Sequence, residues 1–212
     1  MRQLYSYFRS SASFRVRIAL NLKGLEHAIV PVHLLHGEQL QPAFLGVNPA
    51  GLVPALAEHG AVLTQSLAIM EYLDETHPEP PLLPGTPLDR ARMRALALAI
   101  ACEIHPLNNL KVLKYLKHAL GASDDARNAW YRHWVESGLA ALERQLEPGP
   151  PGRYCHGERP TLPDCCLVPQ IFNARRFDCR LDHVPGVMRI FDQCMQLDAF
   201  QRAAPAAQPD AE

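Results

Sequence analysis

Residues 9–13 read Arg-Ser-Ser-Ala-Ser and join a short apolar run, "LYSYF", to a helical one, "FRVRIAL". A strand that turns directly into a helix leaves backbone N–H groups unpaired at the helix start, and these attract anions. The hydroxyls of Ser10, Ser11 and Ser13 and the guanidinium of Arg9 suit a ligand with negative charge. The competing reading is that one serine caps the helix and the others face water. Arg15 and Arg17 read as helix-surface or ion-pair residues.

Three further patches could carry chemistry. In "NPAGLVPAL", residues 48–56, Pro54 enters a strand pattern. It marks either an ordinary turn or a cis Val53–Pro54 bond that offers the Val53 backbone to a peptide-like ligand. In "TQSLAIMEYL", residues 64–73, Gln65 and Ser66 open a helix, with Ser66 placed as N-cap. That N-terminus could take a carboxylate, although most serines there merely cap. In "CEIHPLNNLKVLKY", residues 102–115, Pro106 interrupts a helix, frees the Cys102 carbonyl and kinks the segment. His105, Asn109 and Lys111 then line a polar cleft, or His105 is only a structural histidine beside a proline.

The elements that position these patches follow from periodicity. Strands are expected at 3–7 and 27–33 and in "GLVPAL" and "AVLTQ", and helices at 11–23 (closed by Gly24), 38–44 and 66–76. This β-α-β-α-β-β-α order over about 80 residues is a compact α/β domain. The proline-dense stretch 77–87 marks a boundary, giving a domain at 1–80, a linker at 81–87 and an all-helical domain at 88–212. Thr86, Pro87 and Asp89 start a long helical segment to about 120, and apolar spacing recurs in 126–146, 162–177 and 186–200. Residues 203–212, "AAPAAQPDAE", read as frayed.

Composition narrows the function classes. The 212 residues are 48% hydrophobic, and 21 basic against 22 acidic side chains nearly cancel. No basic excess points to nucleic acid or an anionic membrane, and no apolar run approaches a bilayer span. A cytoplasmic protein with small-molecule partners is expected. Six cysteines, all beyond residue 100, show neither a CxxC pair nor zinc spacing, so they read as reduced packing thiols and no metal site is expected. The serine cluster therefore has no cysteine beside it in sequence to act as nucleophile.

The runs "SYFRSSASFRVRIALNLKG", "NPAGLVPAL", "TQSLAIMEYL", "HPLNNLKVLKYL" and "RPTLPDCCLVPQIFNARRFD" together resemble the zeta class of glutathione transferases. Its members include maleylacetoacetate and maleylpyruvate isomerases. The resemblance covers residues 4–206 and implies a thioredoxin-like N-terminal domain, an all-helical C-terminal domain, a homodimer and bound glutathione. It places Ser10, Ser11 and Ala12 around the cysteinyl part of glutathione, with Ser10 holding its sulfur as thiolate. Gln39 then reaches the glycyl end, Val53 pairs by its backbone, and Gln65 and Ser66 hold the γ-glutamyl carboxylate. Glu103, His105, Asn109, Leu110 and Lys111 are expected ligand contacts from the helical side. Where the family commonly reads Ser-Ser-Cys this chain has Ala12, so any role of that cysteine is absent. Thr161 and Asp164 match a structural capping box.

The chemistry is consistent with that expectation. Turning a cis double bond conjugated to a ketone into trans requires temporary loss of its double-bond character, which reversible addition of a thiolate achieves. The enolate and the substrate carboxylates call for forked guanidinium groups. Arg9 is the first candidate and Arg176 the second, by similarity, with Arg175 left exposed. Two rivals use the same fold: a transferase that conjugates glutathione to electrophiles, and a noncatalytic interaction protein that would not need an intact thiolate cradle. The motifs do not separate maleylacetoacetate from maleylpyruvate.

Overall fold

The computed structural model of the chain describes residues 1–147 and 152–212. They fall into two compact units, one of Met1–Leu83 with Met195–Glu212 and one of Pro84–Cys194.

In the first unit, strands β1 (Gln3–Ser6), β2 (Ala28–Pro31), β3 (Ala55–Glu58) and β4 (Ala61–Thr64) form a sheet in the order β2-β1-β3-β4. β1 runs parallel to β2 and antiparallel to β3, and β3 is antiparallel to β4. The parallel pair requires a crossover, which helix α1 (Ser11–Leu22) supplies. A 3-10 turn at Glu38–Leu40 and the short α2 (Pro42–Leu45) follow β2, and α3 (Ser66–Thr76) follows β4. This is the compact α/β domain that the sequence pattern anticipates, in the thioredoxin-like arrangement that the family resemblance implies.

The helical unit contains α4 (Pro87–Leu98), α5 (Leu110–His118), α6 (Asp124–Leu146), α7 (Leu162–Arg176) and α8 (Pro185–Cys194). Thr86 and Asp89 close the expected capping box on α4. The helical segment expected to run to about residue 120 with a kink at Pro106 is divided around that proline. After α4 the chain widens into π-helix at Ala99–Ile104 and tightens into 3-10 at His105–Asn108, where Pro106 cannot supply an N–H. Asp164 is fully buried and accepts hydrogen bonds from the Thr161 N–H (2.7 Å), the Thr161 hydroxyl (2.8 Å) and the Cys155 N–H (2.9 Å). Its structural reading is thereby explained, since three buried donors, two of Thr161 at the start of α7 and one of Cys155 ahead of it, end on one carboxylate.

Two expectations need correction. Residues 195–212, read with the helical domain, pack with the first unit, where α9 (Asp198–Ala203) lies against α1. Nor is 203–212 frayed: a 3-10 turn at Pro205–Ala207 is followed by Gln208, whose side-chain amide donates to the carbonyls of Arg202 (2.8 Å) and Ala204 (3.0 Å). Among the described residues no helix is long and apolar enough to cross a membrane.

Candidate active site

The registers bring four strand ends to one edge of the sheet. Tyr5, near the end of β1, pairs with Ala55 at the start of β3, and Ala55 pairs with Thr64 at the end of β4. Ser6 pairs with Pro31 at the end of β2. The segments that leave β1, β2 and β4 and enter β3 therefore depart from the same edge. They carry Arg9–Ala12, Gln39, Gln65–Ser66 and Val53 in turn, a rigid scaffold presenting its loops to one side.

Ser10 is the N-cap of α1. Its Oγ accepts the Ser13 N–H at 3.2 Å, and its own N–H donates to the Tyr7 carbonyl at 2.9 Å. An accepting hydroxyl keeps its proton to donate, so capping and ligand binding are compatible duties of one side chain. Ser11 is buried and Ala12 half-buried. Neither α1 nor α3 has an acidic residue in its first turn, so both helix N-termini keep their positive potential. Arg9, half-buried, lies over the Phe8 ring at 4.6 Å, with a guanidinium nitrogen 3.7 Å from Glu212.

Ser66 does not cap α3. The N-cap is Gln65, held at φ 68° and ψ 115°, and Ser66 is the first helical residue. A non-glycine residue in that region stores about 1–3 kcal/mol, which points to a functional constraint. The Ser66 hydroxyl accepts from Arg15 at 3.2 Å. Arg15 and Arg17, expected on the helix surface, are 2% and 1% exposed. The reason is that α1 is covered by both α3 and α9, so the face assigned to solvent does not exist. Arg15 thus touches the candidate residue Ser66, a placement that the sequence reading missed because it assigned the residue to a solvent face.

The Val53–Pro54 bond is cis, and Val53 lies just ahead of the β3 ladder, packed with Tyr7, Phe8, Val32 and Phe44. Gly51, at φ 61°, brings its backbone so near Gln39 that an added Cβ would lie 3.1 Å from the Gln39 carbonyl. The Gln39 Oε1 is buried and has no hydrogen-bond partner among the described residues. Such an acceptor is costly, about 1–3 kcal/mol, until a donor reaches it.

In the helical unit, the π and 3-10 turns carry exposed Glu103 and half-buried His105. Asn109 caps α5 by accepting the Lys111 N–H at 3.1 Å, with Leu110 half-buried and Lys111 exposed. The neighbouring Asn108 is buried, and its Oδ1 has no partner among the described residues. Arg176, exposed in the last turn of α7, lies over the Phe177 ring at 5.2 Å, and Arg175, also exposed, lies 3.6 Å from Asp192 in a solvated pair and over the Phe191 ring at 4.4 Å.

All six cysteines are free thiols, and five are buried. Burial pushes the Cys179 thiol up to about 11 and raises those of Cys155 and Cys194 well above the ordinary thiol value, so none of the three is a thiolate at neutral pH. His33, His36 and Glu212 offer ligand atoms within 4.8 Å of one another. The His36 N–H donates to His33 Nδ1 at 3.2 Å, which leaves the His33 proton on Nε2, 3.0 Å from Glu212. A metal on Nε2 would force a proton onto Nδ1 against that N–H donor, so the cluster is set up as a hydrogen-bond chain and not as a metal centre.

A thioredoxin-like unit with a serine-capped helix at its loop edge, followed by an all-helical unit, defines the glutathione transferase class. Residues 9–76 match the family model "Glutathione S-transferase, N-terminal domain" and residues 124–192 match "Glutathione S-transferase, C-terminal domain". The chain is 49% identical to a probable maleylacetoacetate isomerase of Vibrio cholerae, over 98% of this chain and 97% of that protein. It superimposes on a holo structure of a maleylpyruvate isomerase, a bacterial zeta-class glutathione transferase, with a TM-score of 0.97 at 48% identity, covering 99% and 100% of the two chains. The maleylacetoacetate isomerase of Anaeromyxobacter dehalogenans with bound GSH in its active site is 44% identical, with a TM-score of 0.90 over 100% of this chain and 98% of that one. The chain belongs to the zeta class of the glutathione transferase family.

Proposed function

We propose that this protein is a glutathione-dependent cis–trans isomerase of maleyl diketo acids. The observation that carries the proposal is the Ser10 N-cap: a hydroxyl oriented by the Ser13 N–H, at an unneutralised helix N-terminus, with the Arg9 guanidinium next to it in sequence. The residues present fit glutathione. Two helix N-termini without acidic residues and the buried Arg15 on Ser66 offer positive potential to the carboxylates of a peptide-like anion, and the orphan Gln39 Oε1 offers an acceptor to one of its peptide N–H groups.

Ser10, Ser11 and Ala12 hold the cysteinyl part of the tripeptide, with the Ser10 O–H donated to the sulfur. Gln65 and Ser66, backed by Arg15, hold the γ-glutamyl carboxylate, Val53 pairs by its backbone, and Gln39 serves the glycyl end. Bound glutathione supplies the thiolate whose reversible addition relieves the double-bond character of the substrate. Arg9 and Arg176 take the substrate carboxylates and the negative charge that develops on the carbonyl oxygen. Glu103, His105, Asn109, Leu110 and Lys111 are assigned ligand contacts on the strength of the family resemblance alone, as is a homodimer. Free thiols throughout support a reducing, cytoplasmic setting.

The test is the ultraviolet absorbance change of maleylacetoacetate and of maleylpyruvate with the purified protein, with and without glutathione. Conversion that needs glutathione supports the proposal, and the ratio of efficiencies names the preferred substrate, since the two differ in the tail beyond the diketone. Conversion of neither overturns it.

A further inference from the structure

The turn that delivers Arg9 and Ser10 is held at three backbone positions. Arg17 donates to the carbonyls of Tyr7 (3.4 Å) and Phe8 (2.9 Å), and to the Ser6 hydroxyl (2.9 Å) and the Ala203 carbonyl (2.9 Å). The Phe8 N–H donates to Asp210 Oδ2 at 3.0 Å, across 202 positions of sequence. The peptide groups that lead into the Ser10 cap therefore lie between a buried guanidinium and a carboxylate from the segment after α9.

We propose that Asp210 is a positioning residue for the sulfur cradle: by accepting the Phe8 N–H it fixes the 7–10 turn, and with it the direction of the Ser10 hydroxyl. The inference rests on the assignment of Ser10 to the glutathione sulfur. Without Asp210 the Phe8 N–H loses its acceptor, and the turn can relax toward water, carrying Ser10 away from the line between its Ser13 anchor and the ligand. Arg17, lowered by burial from 12.5 to about 9, still carries its charge at neutral pH, so its bonds to the turn do not depend on the charge of Asp210. Glu212 reaches Arg9 at 3.7 Å and His33 at 3.0 Å, but its side chain is 55% exposed, and a solvated pair of that kind contributes little. Asp210 is the firmer anchor.

The test reads the bound thiol and not turnover. The thiolate absorbance of protein-bound glutathione is titrated against pH in the full chain, for the native protein, Asp210→Ala and Asp210→Asn, with the glutathione Kd and the thermal midpoint of each. Asp210→Ala should raise the titration midpoint by about one pH unit, a roughly tenfold loss of thiolate below it. Asp210→Asn keeps an oxygen acceptor for the Phe8 N–H and should restore the native midpoint. An unshifted midpoint in Asp210→Ala overturns the inference and leaves the reading of Ser10 intact. If Asp210→Ala does not fold, a folded Asp210→Asn with a raised midpoint overturns it. A native protein whose bound glutathione shows no lowered midpoint refutes the Ser10 assignment and the inference together.

Discussion

Because Ser10 accepts the Ser13 N–H while keeping its proton for a ligand, its removal should produce two separable losses. In Ser10→Ala the lost cap costs about 1 kcal/mol of stability. The lost donor costs about 10²–10³-fold in kcat with glutathione present. Parallel unfolding and rate measurements separate them, and a variant that loses stability while keeping its rate would confine Ser10 to capping. The two neighbouring arginines of α7 make a second test. Arg175 lies in solvent beside Asp192 and over Phe191, so Arg175→Lys should leave kinetics near native. Arg176→Lys keeps the charge but loses the fork, and should raise KM for the diketo acid about tenfold. Equal effects in the two variants would remove Arg176 from substrate recognition. At this scale a serine cap on α1 and a special bond at Val53–Pro54 were legible from local backbone chemistry, whereas the cap of α3 was read at Ser66 and falls on Gln65. Arg15 was not legible: a periodicity argument gives a helix one wet face, and α1 has none.

Among the elements, the break after α4 depends on a close approach that the sequence pattern did not reveal. A Cβ on Gly138 of α6 would come within 2.4 Å of Ile104 Cγ1, so glycine is what lets α6 lie against the π-helical turn that precedes His105. Ile104 is buried and stiff at χ1, which leaves it little room to give way. Gly138→Ala should therefore destabilise the protein by about 1–3 kcal/mol, read in urea unfolding, and change hydrogen exchange over residues 99–108. Native stability with unchanged exchange would mean that the segment keeps its shape without α6. Pro106 marked where the helix fails. The helical type on either side was beyond local reading, because it depends on what α6 packs against.

At the level of the whole chain, long-range partners account for what the sequence concealed. Arg17 looks like a surface residue until the Ala203 carbonyl, 186 positions away, is placed beside it, and residues 203–212 look frayed until Asp210 meets Phe8. One pH dependence follows from this packing. His27, ahead of β2, is held below its usual 6.5 by burial and by the charges of Arg2, Arg17 and Arg202, against a hydrogen bond to the Leu25 carbonyl. The unfolded chain binds the proton more readily, so this contribution is complete above about 6.5 and is lost as pH falls through the lowered folded value. The urea midpoint should drop on acidification from pH 7 to pH 5, and His27→Gln should shallow that slope; an identical slope in the variant would assign the acid sensitivity elsewhere. The homodimer proposed from the family should sediment near twice the 23.6 kDa chain mass. The most direct test of the account follows product stereochemistry by proton NMR together with the free-thiol titre, as the protein converts a maleyl diketo acid in the presence of limiting glutathione. The account predicts accumulation of the fumaryl isomer over many turnovers with the thiol titre unchanged. A titre that falls one-for-one with substrate, or isomerisation equally fast without glutathione, would contradict it.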